Sequence, residues 1–194
     1  NGLVDEAKLE VSRTMEALKP FVDRAIPILG LEPSCLLTLR DEYLVLFPGE
    51  ESKKLADNSF MIEEFLAAEN DAGQLNLELQ ALPNKQALLH GHCHQKAFAV
   101  LSPVQKILGL IPELEVKTID SSCCGMAGSF GYEKEHYETS MAMGSLSLFP
   151  AVKEAQEDVL IVADGTSCRG QIEHGTGRQA LHVARVLQMA LPTG

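Results

Sequence analysis

The fold is decided by the stretch Asp158-Val-Leu-Ile-Val-Ala-Asp-Gly-Thr-Ser-Cys168. It begins as a short apolar run rich in β-branched residues, which predicts a buried strand, and it turns polar just before the cysteine. Two other stretches have the same form. Residues 87–94 end in His90-Gly-His-Cys-His94, and residues 115–125 end in Asp120-Ser-Ser-Cys-Cys-Gly125. We therefore predict three strands that each lead into a cysteine-bearing turn.

Helical patterns separate these strands. Apolar spacing predicts helices over residues 96–110, 133–149 and 178–191. Strands that alternate with helices form βαβ units, and right-handed crossovers join such units into a parallel sheet. The predicted fold class is therefore α/β, with a parallel, Rossmann-like sheet and flanking helices.

The first half of the chain has a weaker pattern of helices and strands. We expect helices over residues 3–26, 36–46 and 58–68, and strands over residues 26–31 and 75–79. Residues 28–35 can be aligned with residues 161–168, since both are an apolar strand and a turn followed by Ser-Cys. This internal repeat predicts two related half-domains, of which the first is truncated on its N-terminal side.

Composition and charge exclude several classes of protein. The 194 residues are 45% hydrophobic and 22% charged, which is typical of a globular protein and not of a disordered one. With 16 Lys and Arg against 27 Asp and Glu, the net charge of -11 argues against nucleic-acid binding and against an anionic membrane surface. No apolar run is long enough for a transmembrane helix.

The N-terminal residues Asn1-Gly-Leu-Val-Asp-Glu6 include neither an initiator Met nor a secretory signal. We therefore expect a piece of a longer protein. We expect that protein to be cytoplasmic, or to lie at the cytoplasmic face of the membrane.

The chemistry of the chain is concentrated in its cysteines, which are Cys35, Cys93, Cys123, Cys124 and Cys168. An odd number at wide spacing does not fit a disulfide framework. Because the carboxyl ends of parallel strands meet at one edge of a sheet, we expect the last four to share a site there. Helix N-termini favour thiolates, and four thiolates can hold zinc or an iron–sulfur cluster. The adjacent pair favours the cluster, since neighbouring ligands can bind different irons.

Three strings around these cysteines resemble the cysteine-rich CCG domain family, which includes the CCG subunit of heterodisulfide reductase and the glycolate oxidase iron–sulfur subunit. The strings are residues 90–97, 122–132 and 163–169. They are most similar to the C-terminal region of FAD-linked D-2-hydroxyacid dehydrogenases. The resemblance implies that residues 1–85 are the C-terminal part of a first CCG repeat and that residues 86–194 are a complete second one.

The resemblance also implies a function. Cys93, Cys123, Cys124 and Cys168 would hold a [4Fe–4S] cluster that relays electrons from a flavin to an acceptor. The larger protein would be an FAD-linked oxidoreductase acting on a small 2-hydroxy acid such as D-lactate, glycolate or D-2-hydroxyglutarate. FAD would bind only upstream of this chain, and flavin and ferredoxin-like domains of the same polypeptide or complex would be its partners. The chain alone is not expected to be catalytic.

Two positions depart from a complete pair of such sites. Cys35 would belong to a first site whose other cysteines lie upstream. Gln171 stands where the family pattern closes with a further cysteine. This departure argues against a cluster that needs a fifth thiolate and leaves four, which suffice for a cubane cluster.

Four neighbouring residues are predicted to support the cluster. His92 and His94 flank Cys93 and would donate hydrogen bonds to sulfur, although they could instead cap the following helix. Gly125 and Gly128 would let backbone amides approach the cluster sulfurs closely.

Two alternatives to the electron-transfer function stay open at this point. The first is a structural zinc or docking module, in which the cysteines hold strand ends together. The second is a thiol–disulfide redox site, in which Cys123 or Cys124 cycles with Cys168.

Overall fold

The computed structural model describes residues 2–192. The chain divides into two compact units between Phe65 and Leu66. Along residues 2–192, every helix is too short or too polar to cross a lipid bilayer.

The first unit contains a two-stranded parallel sheet and four helices. Strands β1 (Ile28–Gly30) and β2 (Ser59–Met61) pair with Ile28 opposite Ser59. The helices are α1 (Val4–Val22), α2 (Pro33–Thr38), α3 (Glu42–Leu46) and α4 (Glu50–Asp57). The buried apolar side chains of this unit are Val11, Leu36, Leu37, Leu39, Tyr43, Leu55 and Met61. Helix α5 (Ile62–Asp71) begins directly after β2 and continues past the boundary.

The second unit contains a four-stranded parallel sheet with flanking helices. Its strands are β3 (Gln86–His90), β4 (Glu115–Thr118), β5 (Leu160–Ala163) and β6 (Ala180–Leu181), in the order β4-β3-β5-β6. The helices are α6 (Cys93–Ala97), α7 (Leu101–Leu108), α8 (Tyr137–Ser145), α9 (Leu148–Glu154), α10 (Thr166–Thr176) and α11 (Val183–Met189). The predicted α/β class, with parallel sheets and flanking helices, is confirmed.

The strand order reverses between β3 and β5. The chain passes from β3 to β4 on one side and then returns to β5 on the other side of β3. In open α/β sheets, ligands bind in the crevice outside the carboxyl ends of the two strands that flank such a reversal. The turns after β3 and β5 carry Cys93 and Cys168, so these two cysteines lie where this fold leaves room for a ligand.

Two apolar clusters pack on the sheet of the second unit. Because successive strand residues face opposite sides, Leu89 and Val162 belong to one cluster and Leu88 and Ile161 contact the other. The first cluster includes side chains of α7 and α11, and the second includes side chains of α9 and α10. Full burial of one large apolar side chain contributes about 1.5–3 kcal/mol to the stability of the fold. The two clusters together therefore hold the strands, and the turns at their ends, in place.

Two predicted helices are interrupted near the site. Residues 96–110 contain the end of α6 and the whole of α7, because Ala99 adopts a positive φ of 56° between the two helices. Pro103 is accommodated in the first turn of α7. Residues 133–149 form a 3-10 turn, helix α8 and the start of α9. The prediction of one continuous helix was wrong in each case.

Short strands account for two further differences. The segment predicted as a helix over residues 58–68 begins with β2, and the segment predicted as a helix over residues 178–191 begins with β6. Residues 75–79, predicted as a strand, form no regular structure. Leu75 and Leu79 pack on a core cluster, but the segment pairs with no strand of the described residues.

Candidate metal centre

Three turns bring four cysteines to the C-terminal edge of the four-stranded sheet. Cys93 follows β3 as the first residue of α6. Cys123 and Cys124 lie in the loop after β4, and Cys168 follows β5 as the third residue of α10. All five cysteines of the chain are free thiols, and the fifth, Cys35, is exposed in the first unit.

The four thiols form a connected series of contacts. The Sγ atoms of Cys124 and Cys168 are 3.4 Å apart. Cys123 shares side-chain hydrogen bonds with both Cys93 and Cys124. Cys124 and Cys168 are buried, whereas Cys93 and Cys123 are partly exposed. The site therefore has a closed side towards the core and an open side towards solvent.

These hydrogen bonds separate the pKa values of the four cysteines. The pKa of Cys123 falls well below its usual value because Cys124 and Cys93 donate hydrogen bonds to its sulfur. The hydrogen bond with Cys124 lowers the pKa of Cys168 to about 5. The pKa values of Cys93 and Cys124 rise, and the largest cause in each case is the hydrogen bond with Cys123. The hydrogen bonds therefore favour the thiolate at Cys123 and Cys168 and the thiol at Cys93 and Cys124. The thiolate is the form that binds metals.

Backbone amides also point at the sulfurs. The N–H of Gly125 donates to Cys123 Sγ over 3.3 Å, and the N–H of Ala127 donates to the same sulfur. Gly125 has a φ of 99°, and a Cβ atom there would lie 2.1 Å from the carbonyl oxygen of Ser140. Gly128 also has a positive φ of 68°, but no heavy atom lies within 4 Å of its Cβ position. Of these two glycines, only Gly125 is therefore required by a close approach.

The two histidines beside Cys93 contact the start of α6 and the turn after β5. His92 is the N-cap residue of α6, and its Nδ1 accepts a hydrogen bond of 3.2 Å from the N–H of His94. A Cβ atom on Gly165 would lie 2.5 Å from the His92 ring, so the ring packs on the turn that precedes Cys168. The His94 ring is 5.2 Å from that of His92.

A third histidine, which the sequence patterns did not assign to the site, lies closest to the buried sulfurs. His90 is fully buried, and its Nδ1 is 2.8 Å from the hydroxyl oxygen of Ser121. The ligand atoms of His90, Cys124 and Cys168 all lie within 4.8 Å of one another. The sequence does contain a signal for this residue, because His90 stands at the end of an apolar strand. A polar side chain buried there needs a partner, which points to a neighbouring polar group or ligand.

Polar side chains connect the three turns. Gln95, which is buried, accepts a hydrogen bond of 3.0 Å from the N–H of His92 and donates one of 2.8 Å to Asp164 Oδ2. Lys96 Nζ donates to the carbonyl oxygens of Ser121 and Ser122. These bonds fix the cysteine turns after β3, β4 and β5 relative to one another.

Gln171 lies next to Gly125, the residue that follows Cys123 and Cys124. Its Nε2 donates hydrogen bonds to Ser140 Oγ at 2.9 Å and to the Ser140 carbonyl oxygen at 3.3 Å. The same Nε2 lies 3.2 Å from the Cβ position of Gly125. Gln171 therefore ties α10 to α8 at the place where α8 contacts the Cys123-Cys124-Gly125 turn.

Comparison with known proteins found relatives along nearly the whole chain. Over 192 residues it is 33% identical to a subunit of the anaerobic glycerol-3-phosphate dehydrogenase of Escherichia coli (strain K12), and the match covers 98% of this chain and 47% of that protein. It is 24% identical over 187 residues to the D-2-hydroxyglutarate dehydrogenase of the same strain, covering 96% of this chain and 18% of that protein. The D-2-hydroxyglutarate dehydrogenase of Pseudomonas putida is 28% identical over 179 residues, and the match covers 90% of this chain and 16% of that protein.

The chain thus spans about half the length of the first of these relatives and a smaller part of the others. No family model matches the chain, so its resemblance to the CCG family stays a prediction. No solved structure matches it.

Proposed function

We propose that this chain is the iron–sulfur electron-transfer region of a larger dehydrogenase. Cys93, Cys123, Cys124 and Cys168 would be the ligands of a [4Fe–4S] cluster, which supplies one-electron transfer when it is bound. The observation that carries the proposal is the convergence of these four thiols, from three strand ends, at the reversal of strand order.

The side chains and amides present fit such a group. The lowered pKa values of Cys123 and Cys168 favour their thiolates, and Cys93 and Cys124 would release their protons when metal is loaded. The N–H groups of Gly125 and Ala127 compensate negative charge on the Cys123 sulfur. Burial of Cys124 and Cys168 keeps water away from one side of the site.

The substrate and the partners belong to the larger protein. The relatives are named for the oxidation of glycerol 3-phosphate and of D-2-hydroxyglutarate. Both compounds are small anions with an oxidisable hydroxyl group, and the 2-hydroxy acids expected from the sequence belong to this class. We propose that a flavin, bound outside this chain, oxidises such a substrate and that this chain passes the electrons to an acceptor. The cytoplasmic location stays a prediction.

The division into two related repeats, over residues 1–85 and 86–194, has structural support. In each unit a strand is followed by a helix with cysteine as its third residue, namely Cys35 in α2 and Cys168 in α10. In each unit that strand then pairs in parallel with the next strand of the chain. We propose that the two segments descend from one repeat and that Cys35 belongs to a site completed by upstream residues.

A structural zinc site is the second candidate, and one observation favours it. His90, Cys124 and Cys168 are buried, and their ligand atoms are close enough together for a single small ion. Zinc in structural sites takes four such nitrogen and sulfur ligands, and Cys93 or Cys123 could supply the fourth.

The test is the metal content of the chain, purified without oxygen. Iron and acid-labile sulfide in matching amounts, with an EPR signal after reduction by dithionite, support the electron-transfer function. Zinc without sulfide favours the structural site, and a metal-free protein with a Cys124–Cys168 disulfide favours the thiol redox site. Cys124→Ser should lose iron, whereas the matched control Cys35→Ser should retain it. Iron retained in Cys124→Ser would contradict the assignment of the ligands.

A further inference from the structure

His90 carries a buried nitrogen atom that lies beside the sulfurs of Cys124 and Cys168. The side chain is fully buried at the end of β3. Its Nδ1 is paired with the hydroxyl of Ser121, and its buried Nε2 meets no nitrogen or oxygen partner within residues 2–192. The other hydrogen bond of the ring is to the sulfur of Cys168. A buried nitrogen without a nitrogen or oxygen partner costs free energy, so its position beside the sulfurs calls for an explanation.

The surroundings of the ring determine which nitrogen carries the proton. A serine hydroxyl can donate as well as accept, so Ser121 can donate its proton to Nδ1. The groups on the other side are the sulfurs of Cys124 and Cys168, which lie within 4.8 Å of the ligand atom of His90. A cysteine sulfur that ligates a metal has lost its proton and can only accept a hydrogen bond, so this arrangement favours the tautomer that has its proton on Nε2.

We propose that His90 donates a hydrogen bond from Nε2 to a sulfur of the bound cluster or of its cysteine ligands, and thereby raises the reduction potential of the cluster. This inference rests on the proposed function. Four cysteines already satisfy a cubane cluster, so the histidine acts as a donor to sulfur and not as a fifth ligand. Reduction adds negative charge to the sulfurs, and a donor beside them stabilises the reduced state more than the oxidised one.

The same role was expected for His92 and His94, but their surroundings differ. His92 accepts a hydrogen bond through Nδ1 as the cap of α6, and neither ring is among the group of ligand atoms around Cys124 and Cys168. His90 lies at the end of a strand that packs between the two core clusters, and Ser121 fixes its ring orientation. The donor is therefore held in place before the cluster binds.

Two substitutions at His90 and one control test this assignment. His90→Phe keeps a planar ring but removes the N–H donor. His90→Gln keeps an N–H donor, although its nitrogen lies at a different distance from the backbone. The control His174→Gln changes an exposed histidine on α10 that contacts Tyr137. For each chain, iron and sulfide content, the midpoint potential from EPR-monitored titration and the coupling of exchangeable protons in deuterated buffer are measured.

We expect His90→Phe to retain iron and sulfide, to shift the potential to more negative values and to lose one coupled exchangeable proton. His90→Gln should recover part of the shift, and His174→Gln should match the parent. An unchanged potential in His90→Phe would overturn the assignment. The parent chain is also labelled with ¹⁵N-histidine. A magnetic coupling that shows a histidine nitrogen bound directly to iron would overturn the assignment as well.

If neither variant takes up iron, the labelled parent decides the question. A coupled exchangeable proton on a histidine nitrogen supports the donor, and its absence overturns it. A parent without iron and sulfide overturns the proposed function, and the role of His90 with it. A parent with both, but with no coupled histidine proton, overturns only the role of His90.

Discussion

Replacing Gly125 by alanine should both destabilise the fold and prevent metal loading. The φ of Gly125 is 99°, and its Cβ position is 2.1 Å from the Ser140 carbonyl oxygen on α8. Gly128, three residues later, also has a positive φ, but it has open space around its Cβ position. Gly128→Ala is therefore a matched control, because it shares the backbone strain without the steric collision.

The magnitude is the sum of two costs. A non-glycine residue in the left-handed region costs about 1–2 kcal/mol. A Cβ atom inserted into closely packed surroundings costs about 1–3 kcal/mol more, because the turn or α8 must move. Gly125→Ala should therefore lower the free energy of unfolding by about 2–5 kcal/mol, and Gly128→Ala by about 1–2 kcal/mol.

Urea unfolding of the metal-free, reduced chain, followed by far-ultraviolet circular dichroism, measures both losses. Iron content after anaerobic reconstitution shows whether the cysteine turn survives, and we expect iron to be retained only in Gly128→Ala. Equal losses of stability in the two variants would refute the reasoning, because the collision with α8 would then contribute nothing.

Three further predictions follow from the packing and charges of the second unit. Gln171→Ala removes two buried hydrogen bonds to α8 and should lower the free energy of unfolding by about 1–3 kcal/mol, so an unchanged urea midpoint would count against that role. In α10, a Cβ atom on Gly175 would lie 2.4 Å from the Phe149 ring, whereas Gly170 has open space. We expect Gly175→Ala to be destabilising and Gly170→Ala to be stabilising by up to about 1 kcal/mol, and thermal unfolding that ranks them in the opposite order would contradict the packing. The pKa of Cys168 in the folded, metal-free chain is about 5, below the value of about 8.5 for an unfolded thiol. Its thiolate therefore stabilises the fold fully above the unfolded pKa, and this contribution is lost as the pH falls through about 5. Thiolate absorbance in the ultraviolet should show a step there that is absent from Cys168→Ser, and an identical titration in both chains would disprove it.

Local sequence patterns were enough to predict the elements that carry the cysteines. The apolar runs before His90 and Asp164 are short, bounded by polar turns and rich in aliphatic residues, so they predict buried strands. The rule that parallel strands end at a common edge then predicts that their cysteines meet. Both steps use only neighbouring residues and a general property of parallel sheets.

The remaining features depend on contacts between distant residues. Strand β6 has only two residues and is defined by its pairing with β5, so no periodicity in the sequence could reveal it. The pairing of His90 joins it to Ser121, which lies 31 positions later in the chain. The difference between Gly125 and Gly128 arises from the placement of α8, since both glycines have a positive φ.

The separation of the four cysteines along the chain also affects the order of events during synthesis. Cys124 and Cys168, whose sulfurs are in contact, are 44 positions apart, and the turns that carry them follow different strands. Closing a loop of this length costs entropy that only the assembled sheet repays. A growing polypeptide therefore cannot present all four thiols until β5 and the start of α10 have left the ribosome and the sheet has formed. Insertion of the proposed metal would then follow folding, and the incomplete chain would leave its thiols open to cellular oxidants.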